Sequence, residues 1–190
     1  MAWTAPEARR DSAHLQAVTA DERTTLDTWL DHHRRTLLWK CGGLTAEQLK
    51  RPCVEPSGLS LLGLVRHMAE VERDWFRYRF AGQRPGYLYC TDEDLNAKFD
   101  VADADAEADL AAYVREIELV QEVTSGRSLD ETFLDPRVGV EMTLRWVYTT
   151  MIQEYARHNG HADLIRSGGT PPDPSRHLRR DLSPLRGQRR

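Results

Sequence analysis

Residues 144–165, LRWVYTTMIQEYARHNGHADLI, constrain this chain more than any other stretch. At about 3.6 residues per turn, a helix through them lines up Val147, Met151, Glu154, His158, His161 and Ile165 on one narrow stripe. With roughly 100° of rotation per residue, His158 lies about 40° to one side of Glu154 and His161 about 20° to the other. The stripe is apolar before and after these three, so they are expected to face a core. A carboxylate and two imidazoles are costly to bury without partners. One divalent metal would satisfy them together; pairing with arginines such as Arg66, Arg73 and Arg157 is the competing arrangement.

A chain of 190 residues with 40% apolar content is long enough for one domain with a true core and short for two. The net charge of -4 is unevenly spread. Residues 170–190 carry six arginines against Asp173 and Asp181, a balance of +4, which leaves -8 on residues 1–169. An acidic body argues against a nucleic-acid surface, and the proline-containing basic tail is expected to be mobile. No run approaches the ~20 apolar residues of a membrane span, and the first residues lack the apolar stretch of a signal peptide. A cytoplasmic protein is therefore expected. Cys41, Cys53 and Cys90 show no CxxC spacing, so neither a disulfide framework nor a thiolate zinc knuckle is suggested.

Residues 1–18 lack periodicity and read as an extended arm ahead of a domain over 19–169. Thr19 with Glu22 reads as a capping box, after which Leu26, Trp29, Leu30, His33, Leu37 and Cys41 keep helical spacing up to Gly42 and Gly43. His33 sits on that stripe and reads as a hydrogen-bonded core histidine rather than a ligand. Thr45 and Gln48 form a second capping box before Pro52. Ser57 or Ser60 can then open a second long helix, SLLGLVRHMAEVERDWFRYRF, in which His67 lies at the edge of a broad apolar arc. A third follows the acidic run DADAEAD, favourable at a helix N-terminus, and buries Leu110, Tyr113, Val114, Ile117 and Val120; its acids read as a solvated face. Residues 81–101 and 127–140 are long connectors, and Phe133 is placed to pin the second to the core. No strand is evident. Four long helices with such connectors predict an all-α four-helix bundle with crossovers. His67 with Glu154 and His158 would supply a His2Glu set, a combination used at catalytic zinc sites that keep one position open. Nickel, iron or manganese suit the same ligands.

The pairing of SLLGLVRHMAEVERDWF with EYARHNGHADLIR resembles the DinB-like superfamily and, within it, the mycothiol-dependent S-transferase-like branch, over residues 20–169. The resemblance implies an up-up-down-down bundle with a metal held by a histidine on the second helix and an i, i+4 pair on the fourth. Those positions fall on His67, Glu154 and His158. His161 stands where relatives often have glutamine, which implies a fourth ligand or a neighbour of the ligands able to move a proton. The implied activity is metal-dependent transfer of a low-molecular-weight thiol, mycothiol, onto a small electrophile. Isomerases of the group carry a further carboxyl-terminal domain not expected here, so conjugation is expected rather than isomerisation. A non-catalytic stress-linked binding protein and a metal-dependent hydrolase are the alternatives. The aromatic connector around Tyr87 and Tyr89 would suit a homodimer.

Overall fold

A computed structural model describes residues 2–8 and 12–169; the basic segment 170–190 lies outside the described residues. Each long helix with a described cap begins where a short polar side chain can meet its free amides. Helix α1 (Glu22–Cys41) is capped by Asp21, whose carboxylate accepts from the Thr24 amide at 3.0 Å. The expected Thr19 cap is thus displaced by two residues. Ala20 still belongs to the turn closed on Ala17, whereas Asp21 has the extended backbone a cap requires and brings a charge to the dipole. Gly43, at φ +74°, turns the chain out of α1.

The short helix α2 (Ala46–Lys50) carries the expected box between Thr45 and Gln48. Of the two candidate caps for α3 (Leu61–Glu72), Ser60 is used, its hydroxyl accepting from the Gly63 amide at 3.1 Å. Without a break, α3 runs into a π-wound stretch, Arg73–Phe80. There Arg73 and Arg77 converge on Glu116 of α4 (Ala106–Thr124), at 2.7 and 2.9 Å. Not all the acids of α4 are solvated, because Asp109 is buried opposite Arg66 of α3 and Glu116 opposite Arg73 and Arg77 of the π-wound stretch. Val114, expected inside, is exposed, and Ile117 is half-buried, while Leu110, Tyr113 and Val120 form the buried face.

A hairpin precedes the last helix. Strands β1 (Thr132–Leu134) and β2 (Glu141–Thr143) pair antiparallel, with Phe133 opposite Met142. Three-residue strands carry too little alternation to be seen in sequence. Asp135 forms the turn by accepting from the Arg137 and Val138 amides at 2.8 and 3.0 Å. Phe133 rests edge-on against Phe80. Helix α5 (Leu144–Gly169) then packs along α1, and α3 packs along α4 while also touching α5.

The described chain is therefore mostly helical, and the four long helices share one buried cluster of Leu, Val, Met, Phe and Tyr side chains. At the centre of that cluster lies a polar thread. Arg34 of α1 pairs with Glu72 of α3, Tyr155 of α5 donates to Glu72 at 2.7 Å, and Tyr113 of α4 meets Tyr155 at 2.9 Å. Residues near the N-terminus lie against this body. Ala5 is buried and bonds to Leu44 and Gly43, and Ala13–Ala17 forms a 3-10 turn whose His14 ring meets His32 at a tilt. No helix among the described residues is long and apolar enough to cross a membrane.

Candidate metal centre

Helix register delivers the site. With α3 started at Ser60, His67 falls two turns in, on the side facing α5. On α5 the apolar positions Val147, Tyr148, Met151, Tyr155, Ala162 and Ile165 are buried, and Glu154, His158 and His161 run along the half-buried margin of that face. His67, Glu154 and His158 come together, and one ligand-capable atom of each lies within 4.8 Å of the other two. Among the described residues they are the group of three or more His, Cys, Asp or Glu with that property. His33 takes no part; Asn159 donates to its carbonyl at 3.0 Å on the α1 side of α5.

The distances suit a small cation. His67 Nε2 stands 3.0 Å from His158 Nε2, and His158 Nε2 stands 3.3 Å from Glu154 Oε2. Two ligand atoms each ~2.0–2.1 Å from a tetrahedral zinc are about 3.3–3.4 Å apart. Burial, His158 and Lys98 together depress His67 to about 3. Burial also lowers His158, opposed by the Glu154 carboxylate and reinforced by His161 and Arg157. Both rings are thus neutral near pH 7, the form that ligates metal. The donor set of two neutral imidazoles and a carboxylate fits a divalent ion such as zinc.

Neighbouring groups fix these side chains. Glu154 directs Oε1 to Arg157 at 3.1 Å, leaving Oε2 toward the histidines. His161 meets His158 through Nδ1 of both rings at 3.3 Å, on the far side of His158 from the cluster. His161 is therefore adjacent to the three, bearing on the ring nitrogen that the cluster does not use. Sequence reasoning missed Phe99, whose ring stacks on His67 at 5.4 Å from the connector. A Cβ on Gly63, one turn before His67, would come within 3.4 Å of the Phe99 ring. It also missed Glu70, one turn beyond His67, whose Oε1 accepts from the Leu88, Tyr89 and Cys90 amides at 2.8, 2.7 and 3.1 Å. No spacing rule links a helix carboxylate to amides about twenty residues downstream.

A mostly helical protein with a His2Glu cluster between two of its long helices belongs to the class of helical proteins able to hold a catalytic or structural divalent metal. A family model described as mycothiol-S-transferase matches residues 25–169, from the first turn of α1 to the end of α5. The chain belongs to that family. Neither the curated proteins nor the solved structures contain a match to it.

Proposed function

We propose that this protein is a metal-dependent S-transferase that joins a low-molecular-weight thiol, mycothiol, to a small electrophile, on an up-up-down-down bundle of the four long helices. The observation that carries the reading is the convergence of His67, Glu154 and His158 at the half-buried margin of α5. These three would hold the divalent cation, zinc in the first instance, with room for a further ligand on the solvent side. A cation there would favour the thiolate of a bound thiol over the thiol, which is mostly protonated at neutral pH when free.

The chain's own residues supply the rest. Glu154 contributes the single negative charge of the set, and Arg157 keeps that carboxylate turned inward. His161 is a positioning residue in this reading: by accepting a proton-mediated contact at His158 Nδ1, it keeps His158 Nε2 free of hydrogen. With Nδ1 accepting, the other ring nitrogen of His161 bears its hydrogen, and the proton released by the thiol passes to solvent. The connector anchored on Glu70 also lays Phe99 on the His67 ring. In the transfer itself, sulfur forms a bond to an electrophilic carbon. The displaced electron pair leaves with a leaving group, or is protonated where the electrophile is an activated double bond.

Calorimetric titration of mycothiol into metal-loaded and metal-stripped protein tests the proposal, followed by conjugation assays with mycothiol, glutathione or no thiol. Metal-dependent binding and activity greatest with mycothiol are expected. Binding indifferent to metal would overturn it in favour of a non-catalytic binding protein.

A further inference from the structure

A cavity of about 640 Å3 opens between the π-wound end of α3 and the 81–101 connector. Its size suits an organic molecule of tens of atoms or fewer. None of His67, Glu154 and His158 lines it, but chain neighbours of the cluster do. Glu70 and Val71 in its wall lie one turn beyond His67, and Lys98 in its wall precedes Phe99, which stacks on His67.

The charges around the cavity are unequally committed. Of its three carboxylates, Glu70 is engaged by three backbone amides, Asp74 gives one oxygen to Arg79 at 2.7 Å and the other to Arg137 at 2.6 Å, and the exposed Asp92 is uncommitted, against Arg73, Arg84, Lys98 and Arg137 in the same wall. Its guanidinium groups retain free donors. Arg73 spends its terminal nitrogens on Glu116 and on the Pro85 and Gly86 carbonyls, yet its Nε is buried with no partner. Arg84 makes no hydrogen bond or ion pair among the described residues. Its neighbours are nevertheless tied down on both sides: Gln83 is held by Arg77 at 2.9 Å, and Pro85 with Gly86 by Arg73. The backbone is thus fixed while the Arg84 side chain is left uncommitted at the cavity. Trp75, whose ring carries the Arg79 guanidinium at 4.0 Å and meets Trp146, and Tyr87 add aromatic surface to the same wall.

The geometry points to a planar anion, a carboxylate on an aromatic ring, as the ligand of this cavity, with Arg84 as its principal charge partner. Resting on the S-transferase reading above, this names the recognition group, an aryl carboxylate, that the electrophile would carry beside its reactive carbon. A ring beside Trp75 would have its carboxylate met by the uncommitted Arg84 guanidinium, carried on a backbone tied down on both sides.

The test uses unreactive probes, so that it reads binding and not turnover. 2-Naphthoate and its neutral counterpart 2-naphthylmethanol are titrated into the full-length metal-loaded protein, followed by tryptophan fluorescence and calorimetry. 2-Naphthoate is expected to bind at least about tenfold more tightly than the alcohol, the usual scale for a charge-assisted contact. Arg84→Gln should remove most of that preference while changing affinity for the alcohol less than about twofold. Arg84→Lys should restore part of it, and mycothiol at saturation should leave naphthoate binding intact. Equal affinity for both probes, an Arg84→Gln variant that binds naphthoate like the parent, or displacement by mycothiol would each overturn the inference. Absence of conjugating activity would sink the S-transferase reading and leave these binding results standing.

Discussion

Arg34 grips Glu72 through Nε and Nη2, each 2.7 Å from one carboxylate oxygen, where neither side chain reaches water. A second acid, Asp31, accepts from the remaining end of the guanidinium at 2.9 Å, and Tyr155 donates to Glu72. The pair joins α1 to α3, and through Tyr155 and Tyr113 it reaches α5 and α4. Such a pair adds little over a well-packed apolar substitute. Removing one half strands a buried charge.

Glu72→Ala is therefore expected to cost about 3–5 kcal/mol, the usual range for breaking a buried pair from one side. Urea unfolding measures it directly. Arg34→Met with Glu72→Leu should recover much of the loss. A single variant within about 1 kcal/mol of the parent would show that water reaches the pair and screens it.

The pattern of that pair was present in the chain but easily passed over. Leu64, Met68, Glu72 and Phe76 follow one another every four residues, and all are fully buried. Arg34 stands likewise between the buried Leu30 and Leu37, whereas His33 beside it is only half-buried. One acid and one base on the inward stripes of different helices are a legible sign of a core ion pair. The four long helices and the three cluster residues were legible for a related reason: period 3.6 is sustained over many turns. Contacts from connectors were not. Phe99 on His67 and Glu70 beneath Tyr89 depend on the path of residues 81–101, which no local periodicity encodes.

Three inward ligands on two helices should make metal content and stability move together. His67→Ala and His158→Ala are each expected to lose most of the bound divalent metal, as read by elemental analysis, and to melt earlier than the parent. A chelator should lower the parent's melting temperature and leave these variants nearly unmoved. Full metal occupancy in both would remove the assignment.

His161 and Glu154 separate a supporting group from a ligand. His161 touches only the Nδ1 side of His158, so His161→Gln should weaken metal binding by about 10–100-fold at most, the range for groups that orient a ligand. Glu154→Ala removes a donor and the only charge of the cluster, and should weaken binding further. Competition against a fluorescent zinc indicator ranks the two. Equal losses would promote His161 to a ligand.

Asp135 gives a pH-dependent prediction at the hairpin turn. Burial works against its ionisation, but the Arg137 and Val138 amides and the Arg79 guanidinium outweigh it, holding the carboxyl below the usual range. A carboxyl lowered in the folded state stabilises the fold above its unfolded value of about 3.9, and that contribution fades as pH falls through the folded value. Asp135→Asn should thus destabilise by about 1–3 kcal/mol near neutral pH. Below about pH 4 the gap from the parent should narrow. A gap that stays constant from neutral pH to acid would mean that packing, not charge, supports the turn.

Glu70 offers the sharpest separation between the connector and the metal. Its Oε1 collects three successive amides, so Leu88, Tyr89 and Cys90 are held on α3 by one atom. Charge-assisted bonds of this kind are worth roughly 1.5–3 kcal/mol each when measured singly, and three on one oxygen will share less than their sum. Glu70→Ala should free the strip while leaving His67, Glu154 and His158 in place, because their contacts run through other atoms. Hydrogen exchange at the amides of residues 88–90 is expected to accelerate at least about tenfold, an opening free energy lowered by ~1.4 kcal/mol, with metal content unchanged. Glu70→Gln retains one acceptor oxygen and should fall between parent and alanine variant. Mycothiol binding should weaken in the same order, since the same connector lays Phe99 on His67. If exchange accelerates and mycothiol binding does not change, the connector is a structural strap with no part in holding the thiol.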